Sequence, residues 1–229
     1  MNRLLAVTLT LVSVLGTLQA DSEAEAILAA ARVNPLGERI VLNARLRADS
    51  KIVPFQIRVS DGTVGYVFEN PDQEIVLGLG EKVSTLSERR GGKSSPVSPA
   101  KYDDPVRGGL LTYEDLALRF LYWQNPKLLG NETIRSRPAY KIEIAAPPSE
   151  SDYGVVRLWI DKESGALLRI EGFNKSGRLA KRFEVVSAQK LGGQWMLKQM
   201  RVERLDPETK KVTGRTYLEV TGRADSAPQ

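Results

Sequence analysis

Two pairs of adjacent carboxylates, Asp103-Asp104 and Glu114-Asp115, are the groups most suited to acid–base work or to holding Ca²⁺. Neighbours in sequence do not converge on one point, and each pair has a plainer reading. Asp103-Asp104 lies in a stretch rich in Pro and Gly, and Glu114-Asp115 stands where a helix N-terminus favours negative charge. Gly91-Gly92-Lys93-Ser94 echoes the end of a phosphate loop, but the upstream glycine spacing and the following helix are missing. Asn131-Glu132-Thr133 is a glycosylation sequon that matters only in a eukaryotic secretory pathway. The 229 residues contain no His and no Cys. That excludes Ser-His-Asp and Cys-His nucleophiles, imidazole and thiolate metal ligands, and disulfides. No catalytic residue, no metal site and no cofactor is expected.

The start of the chain sets the compartment. Met1-Asn2-Arg3 is basic, Leu4 to Leu18 carries no charge, and Gln19-Ala20 closes a small-residue exit before Asp21. Residues 1–20 therefore read as a secretory signal peptide, with an uncleaved anchor as the alternative. A spanning helix needs about 20 apolar residues, and this run is shorter. Position 21 is not Cys, so the residue that a bacterial lipoprotein acylates is missing. A secreted chain without disulfides fits a bacterial periplasm.

The elements that must position any site follow from periodicity. Ser22-Glu23-Ala24-Glu25 has capping-box spacing, and Ala24, Ile27, Leu28 and Ala31 form one helical face. The period then changes to two, with Asp61-Gly62 as a hairpin signal. From 88 to 110 the pattern dissolves into Gly, Pro and Ser, which predicts a mobile or connecting loop. Thr112 caps a second helix over 112–123 that is apolar nearly all round, with Asp115 and Arg119 spaced as a surface pair. Asn125-Pro126 stops it. Strands resume over 133–144, 154–161, 166–174, 179–190, 194–206 and 213–221. The sum is mainly β (α+β): one domain over 21–229, with about ten antiparallel strands in a curved sheet or incomplete barrel closed by two helices.

This order resembles the bacterial outer-membrane lipoprotein-sorting family, the LolA-like proteins, across Ser22 to Gly222. The resemblance rests on Leu-Thr-Tyr-Glu-Asp-Leu (Leu111 to Leu116) and on Gly-Asn-Glu with Arg-Pro-Ala-Tyr-Lys-Ile-Glu (Gly130 to Glu143). It continues in Leu-Trp-Ile-Asp with Gly-Ala-Leu-Leu-Arg-Ile-Glu (Leu158 to Glu171) and in Gly-Arg-Leu-Ala-Lys-Arg-Phe (Gly177 to Phe183). It implies a half-barrel that shelters acyl chains in an apolar cavity, with no catalytic residues.

Two residue sets could then carry function. The strand positions Phe55, Ile57, Tyr66, Phe68, Leu77, Leu79, Leu158, Ile160, Leu168 and Ile170 are core or, on the resemblance, cavity wall, with Leu116, Phe120 and Trp123 as a lid. Residues 175–215 carry net charge +7 against −2 for 21–174, although the whole chain is only +5. Lys181, Arg182, Lys198, Arg201, Arg204, Lys210, Lys211 and Arg215 are either a solvated face or one that meets anionic headgroups. The expected function is a non-enzymatic periplasmic carrier of lipid or lipoprotein acyl chains. Its expected partners are an inner-membrane transporter and the membrane surface, not nucleic acid, and the carrier is expected to be monomeric. A lipid- or lipoprotein-sensing regulator of the same fold is the alternative, and a hydrolase the third choice.

Overall fold

The computed structural model describes residues 22–32, 39–148, 150–191 and 193–224. The expected signal peptide lies outside them. No helix among the described residues is long and apolar enough to cross a membrane.

Helix α1 spans 22–32 and buries Ala24 and Leu28 completely, as its apolar spacing requires. A meander follows: β1 (Ile40–Ala48), β2 (Lys51–Ser60), β3 (Thr63–Phe68), β4 (Gln73–Leu79), β5 (Ser84–Arg90) and β6 (Lys93–Pro96). After α2 (Tyr113–Ala117) come β7 (Lys127–Ile134), β8 (Arg137–Ala145), β9 (Tyr153–Asp161), β10 (Leu167–Asn174), β11 (Leu179–Leu191), β12 (Gln194–Leu205) and β13 (Val212–Arg223). These strands form one open antiparallel sheet in the order β6-β5-β4-β3-β2-β1-β13-β12-β11-β10-β9-β8-β7. Every neighbour is consecutive in sequence except β1 and β13.

The sheet has thirteen strands where about ten were expected. One difference arises inside the expected loop 88–110. Gly91 and Gly92 both take positive φ (54° and 78°) and close a two-residue hairpin between Arg90 and Lys93. The rest of that loop lies mostly at the surface and is pinned by Val97 and Val106, which are buried. The other difference is 133–144, expected as a single strand. Arg135 and Ser136 both adopt positive φ (47° and 67°) and turn the chain from β7 into β8.

The expected helix over 112–123 is also shorter. Thr112 does cap it, in a reciprocal capping box with Asp115. At Leu118 the backbone enters the left-handed region (φ 50°, ψ 30°), so α2 ends after five residues and a 3-10 turn, Arg119–Tyr122, takes over. The expected Asp115–Arg119 pair is broken by that joint. Asp115 instead meets Lys181, and Arg119 meets Glu150 at 2.9 Å. Two helices therefore do not close the sheet. The cover combines α1, the single turn and a half of α2, the 3-10 turn and the 97–112 segment.

The sheet must curl strongly. Along its order β5 and β9 are nine spacings apart, about 43 Å if flat. Yet Tyr113 and Asp115, two residues apart, bond to Glu88 on β5 and to Tyr153 on β9. Only curvature brings both wings to one short helix. The inner face is mainly apolar, and the outer face carries ion pairs such as Arg45 and Arg47 on Glu219 and Arg169 on Glu184.

Candidate functional site

The apolar inner face gathers residues from both wings of the sheet. Alternation along β2 aims Phe55 and Ile57 inward, and Phe55 stacks on Phe68 with ring centroids 5.0 Å apart. Leu77 on β4, Leu158 and Ile160 on β9 and Ile170 on β10 join the same buried cluster, as do Leu116, Phe120 and Trp123 from the cover. Tyr66 and Leu79 pack at its margin, half-buried. Leu168 does not join them. An irregularity in β10 between Leu167 and Arg169 turns it to the outer face, where it packs on Ile134, Ala139 and Trp159. The sequence pattern Leu168-Arg169-Ile170 carries no mark of that bulge.

The cover is fastened at three points. Arg32 of α1 donates from Nε to the carbonyl of Leu121 at 2.7 Å and lies 5.0 Å over the Tyr122 ring. On the β5 side, Glu88 accepts from Tyr113 (2.8 Å), Lys101 (2.9 Å), Arg90 (2.7 Å) and Gln73. Burial pushes the Glu88 carboxyl up, but these four donors outweigh it and hold the pKa at about 2. On the β9–β11 side, Asp115 accepts from the Tyr153 hydroxyl at 2.9 Å, from the Thr112 N–H at 2.8 Å and from Lys181. Beside it Glu114 is 2 % exposed, and its Oε1 has no hydrogen-bond partner among the described residues. Burial raises its pKa to about 7, against weaker lowering by Ser151 and Arg119.

A cleft of about 190 Å³ opens where the β4–β5 turn meets the 3-10 turn, Pro147 and Glu150. Ser84 and Trp123 line it, and Ser84 Oγ and Trp123 Nε1 are buried without a hydrogen-bond partner among the described residues. Tyr122 donates across the cleft to the Gly80 carbonyl at 3.0 Å. Val83 stands 59 % exposed at the rim.

The expected basic set lies on the neighbouring strands β11 to β13 and the turn between the last two, but half of it is paired. Lys181 reaches the buried Asp115, Arg182 pairs with Glu171, Arg201 with Glu184 and Glu203, and Arg215 with Glu203. Lys198, Arg204, Lys210 and Lys211 make no ion pair among the described residues. Alternation of Arg and Glu across neighbouring strands consumes half of the charge that composition counts as a surplus. The residues that sequence reasoning passed over are Gln73, Glu88, Lys101 and Tyr153, which fasten the cover. Glu88 was hidden in the expected loop; Tyr153 carried no signal, because its partner is 38 residues away.

No group of three or more acidic side chains able to hold a metal ion occurs among the described residues. The geometry presents a packed apolar cluster on the inner face of the sheet under a tethered cover. This is the fold of the outer-membrane lipoprotein-sorting, LolA-like proteins. It is similar to a domain assigned to outer-membrane lipoprotein sorting from Vibrio parahaemolyticus, with TM-score 0.71, 14% identity, and coverage of 91% of this chain and 94% of that one. It is also similar to a DUF1329 family protein from Desulfovibrio piger, with TM-score 0.67, 16% identity and coverage of 92% and 95%. A LolA superfamily protein from Nitrosomonas europaea follows, with TM-score 0.60, 18% identity and coverage of 90% and 94%. No curated protein matches the chain. Residues 92–224, more than half of the chain, match the model of a family described as an uncharacterized protein, and the chain belongs to that family.

Proposed function

We propose that this chain is a periplasmic, non-enzymatic carrier that shelters the acyl chains of a lipid or lipoprotein and passes them between membrane partners. The observation that carries this reading is the curled sheet whose mainly apolar inner face is covered by separable pieces, not by a continuous helix. The left-handed joint at Leu118 divides α2 from the 3-10 turn, and side-chain bonds hold the two parts down. A cover built this way can lift without unfolding the sheet. The cleft beside Trp123 then becomes the mouth, with Ser84 and Trp123 offering unsatisfied polar atoms to the linkage between acyl chain and headgroup. Each buried CH₂ contributes about 0.8 kcal/mol, so one acyl chain supplies enough affinity without polar chemistry.

Lipid extraction and mass spectrometry of the protein purified from its native periplasm test the reading. Stoichiometric acyl lipid is expected; protein recovered empty sinks it. One observation favours a second reading. Ile75, Ile142, Ile144 and Leu158 are completely shielded by the protein's own side chains. A well-filled interior suits a sensing or interaction module of the same fold, which would return empty protein together with a tightly bound partner.

A further inference from the structure

The β11–β12 hairpin outruns its neighbours. Strand β10 pairs with β11 only as far as Glu184, and β13 pairs with β12 only from Gln199 onward. The part between them, from about 186 to 198, is a two-stranded ribbon without backbone pairing on either edge. Near its tip Trp195 is 70 % exposed, the highest exposure of any large hydrophobic side chain among the described residues. Its cross-strand partner Lys190 sits 5.3 Å from the ring. Met196 is buried against the core and Lys198, three residues beyond Trp195, is exposed. The ribbon is thus rooted in the core by Met196 and offers an indole with flanking ammonium groups to the outside.

An indole exposed at such a tip is costly in water, and its amphipathic ring suits the headgroup layer of a bilayer. Lysines beside it suit anionic headgroups, as neither makes an ion pair among the described residues. We propose that this ribbon is a membrane-docking element. Trp195 seats at the interface of an anionic bilayer, with Lys190 and Lys198 on lipid phosphates. The proposal concerns where the protein lands and is independent of what the inner face holds.

Co-sedimentation of the mature chain with phosphatidylglycerol-containing vesicles tests it, with pure phosphatidylcholine vesicles for comparison. Binding is expected to the anionic vesicles and to fall with salt. Trp195→Ala is expected to weaken it by about tenfold, and Lys190→Glu and Lys198→Glu by at least about fivefold each. Vesicles containing brominated lipid are expected to quench part of the tryptophan emission in the wild type, and that part disappears in Trp195→Phe. Trp195 is largely exposed and outside the buried cluster, so circular dichroism melting should be unchanged. Equal binding by Trp195→Ala, or quenching that survives Trp195→Phe, overturns the proposal. So does a wild type that ignores vesicles and captures a protein through this ribbon. Displacement of a soluble dansyl fatty acid, measured without vesicles, separates the two ideas. Its failure removes the carrier reading and leaves the docking element standing, while loss of docking alone leaves the carrier.

Discussion

The Tyr113 hydroxyl donates to Glu88 Oε1 at 2.8 Å, joining the first turn of α2 to β5. Both side chains lie in the interior, and Glu88 gathers three further donors from β4, β5 and the 3-10 turn at Pro99–Lys101. The cover is therefore held by an ionised group rather than by apolar contact alone.

That arrangement gives the protein an acid limit. The folded carboxyl has a pKa of about 2 against an ordinary value of 4.5. The stabilisation is complete above pH 4.5 and is lost as the pH falls from 4.5 toward 2. Glu88→Gln should lower stability at pH 7 by about 2 kcal/mol and flatten its decline below pH 4.5. Urea unfolding at pH 7, 4.5 and 3 checks this; an unchanged acid slope in the variant counts against the role.

Glu114 works in the opposite direction. Its folded pKa, about 7, lies above the ordinary 4.5, because burial disfavours the charged form. The protonated carboxyl is the form the fold accepts, so its contribution is complete below pH 4.5 and is lost as the pH rises through 7. Glu114→Gln stays neutral and should match the wild type at pH 4.5 but exceed it by about 2–3 kcal/mol at pH 8.5. Melting curves across that range should show the two diverging.

Asp115 and Lys181 form a buried pair, with side chains 2 % and 12 % exposed. Removing Asp115 alone strands an ammonium group in the interior and unmakes the cap on Thr112. Asp115→Ala should cost about 3–5 kcal/mol. Replacing both, in Asp115→Ala with Lys181→Met, should recover at least about 1 kcal/mol of that. A double variant no better than the single one would show that the pair carries no such strain.

The β7–β8 turn offers a gain. Ser136 is held at φ 67°, a backbone region that costs a non-glycine residue. Ser136→Gly should raise stability by about 0.5–1 kcal/mol, measured by chemical denaturation, while the Arg135–Glu184 bond next to it is kept. A loss of stability there would mean that the turn is not strained.

Much of the fold was legible. Alternation placed β1 to β4 and β9 to β13, and α1 follows from four apolar residues at helical spacing. Asp61-Gly62 announced its turn, while Arg135-Ser136 did not, because tertiary pairing forces that conformation on residues that do not prefer it. Gly91-Gly92 looked like loop because the flanking β6 residues Lys93, Ser94 and Ser95 are all exposed and polar. The inner-face residues were readable from period two, except Leu168, which one bulge moved across the sheet. The fastening of the cover was not readable. Glu88, Tyr113, Asp115, Tyr153 and Lys181 meet only after the sheet curls, and nothing local in the chain marks long-range polar contacts.

The strand order has a consequence for how the chain reaches this form. Eleven hairpin-like pairings can assemble from neighbouring segments, in any sequence, at small entropic expense. The seam between β1 and β13 is different: Ala44 must find Val220, across nearly the whole polypeptide. Nothing can zip that seam until the last strand has been delivered. In a chain translocated N-terminus first, the Glu88 fastening within 73–113 could form early, but the joining of the two wings would wait on that final strand.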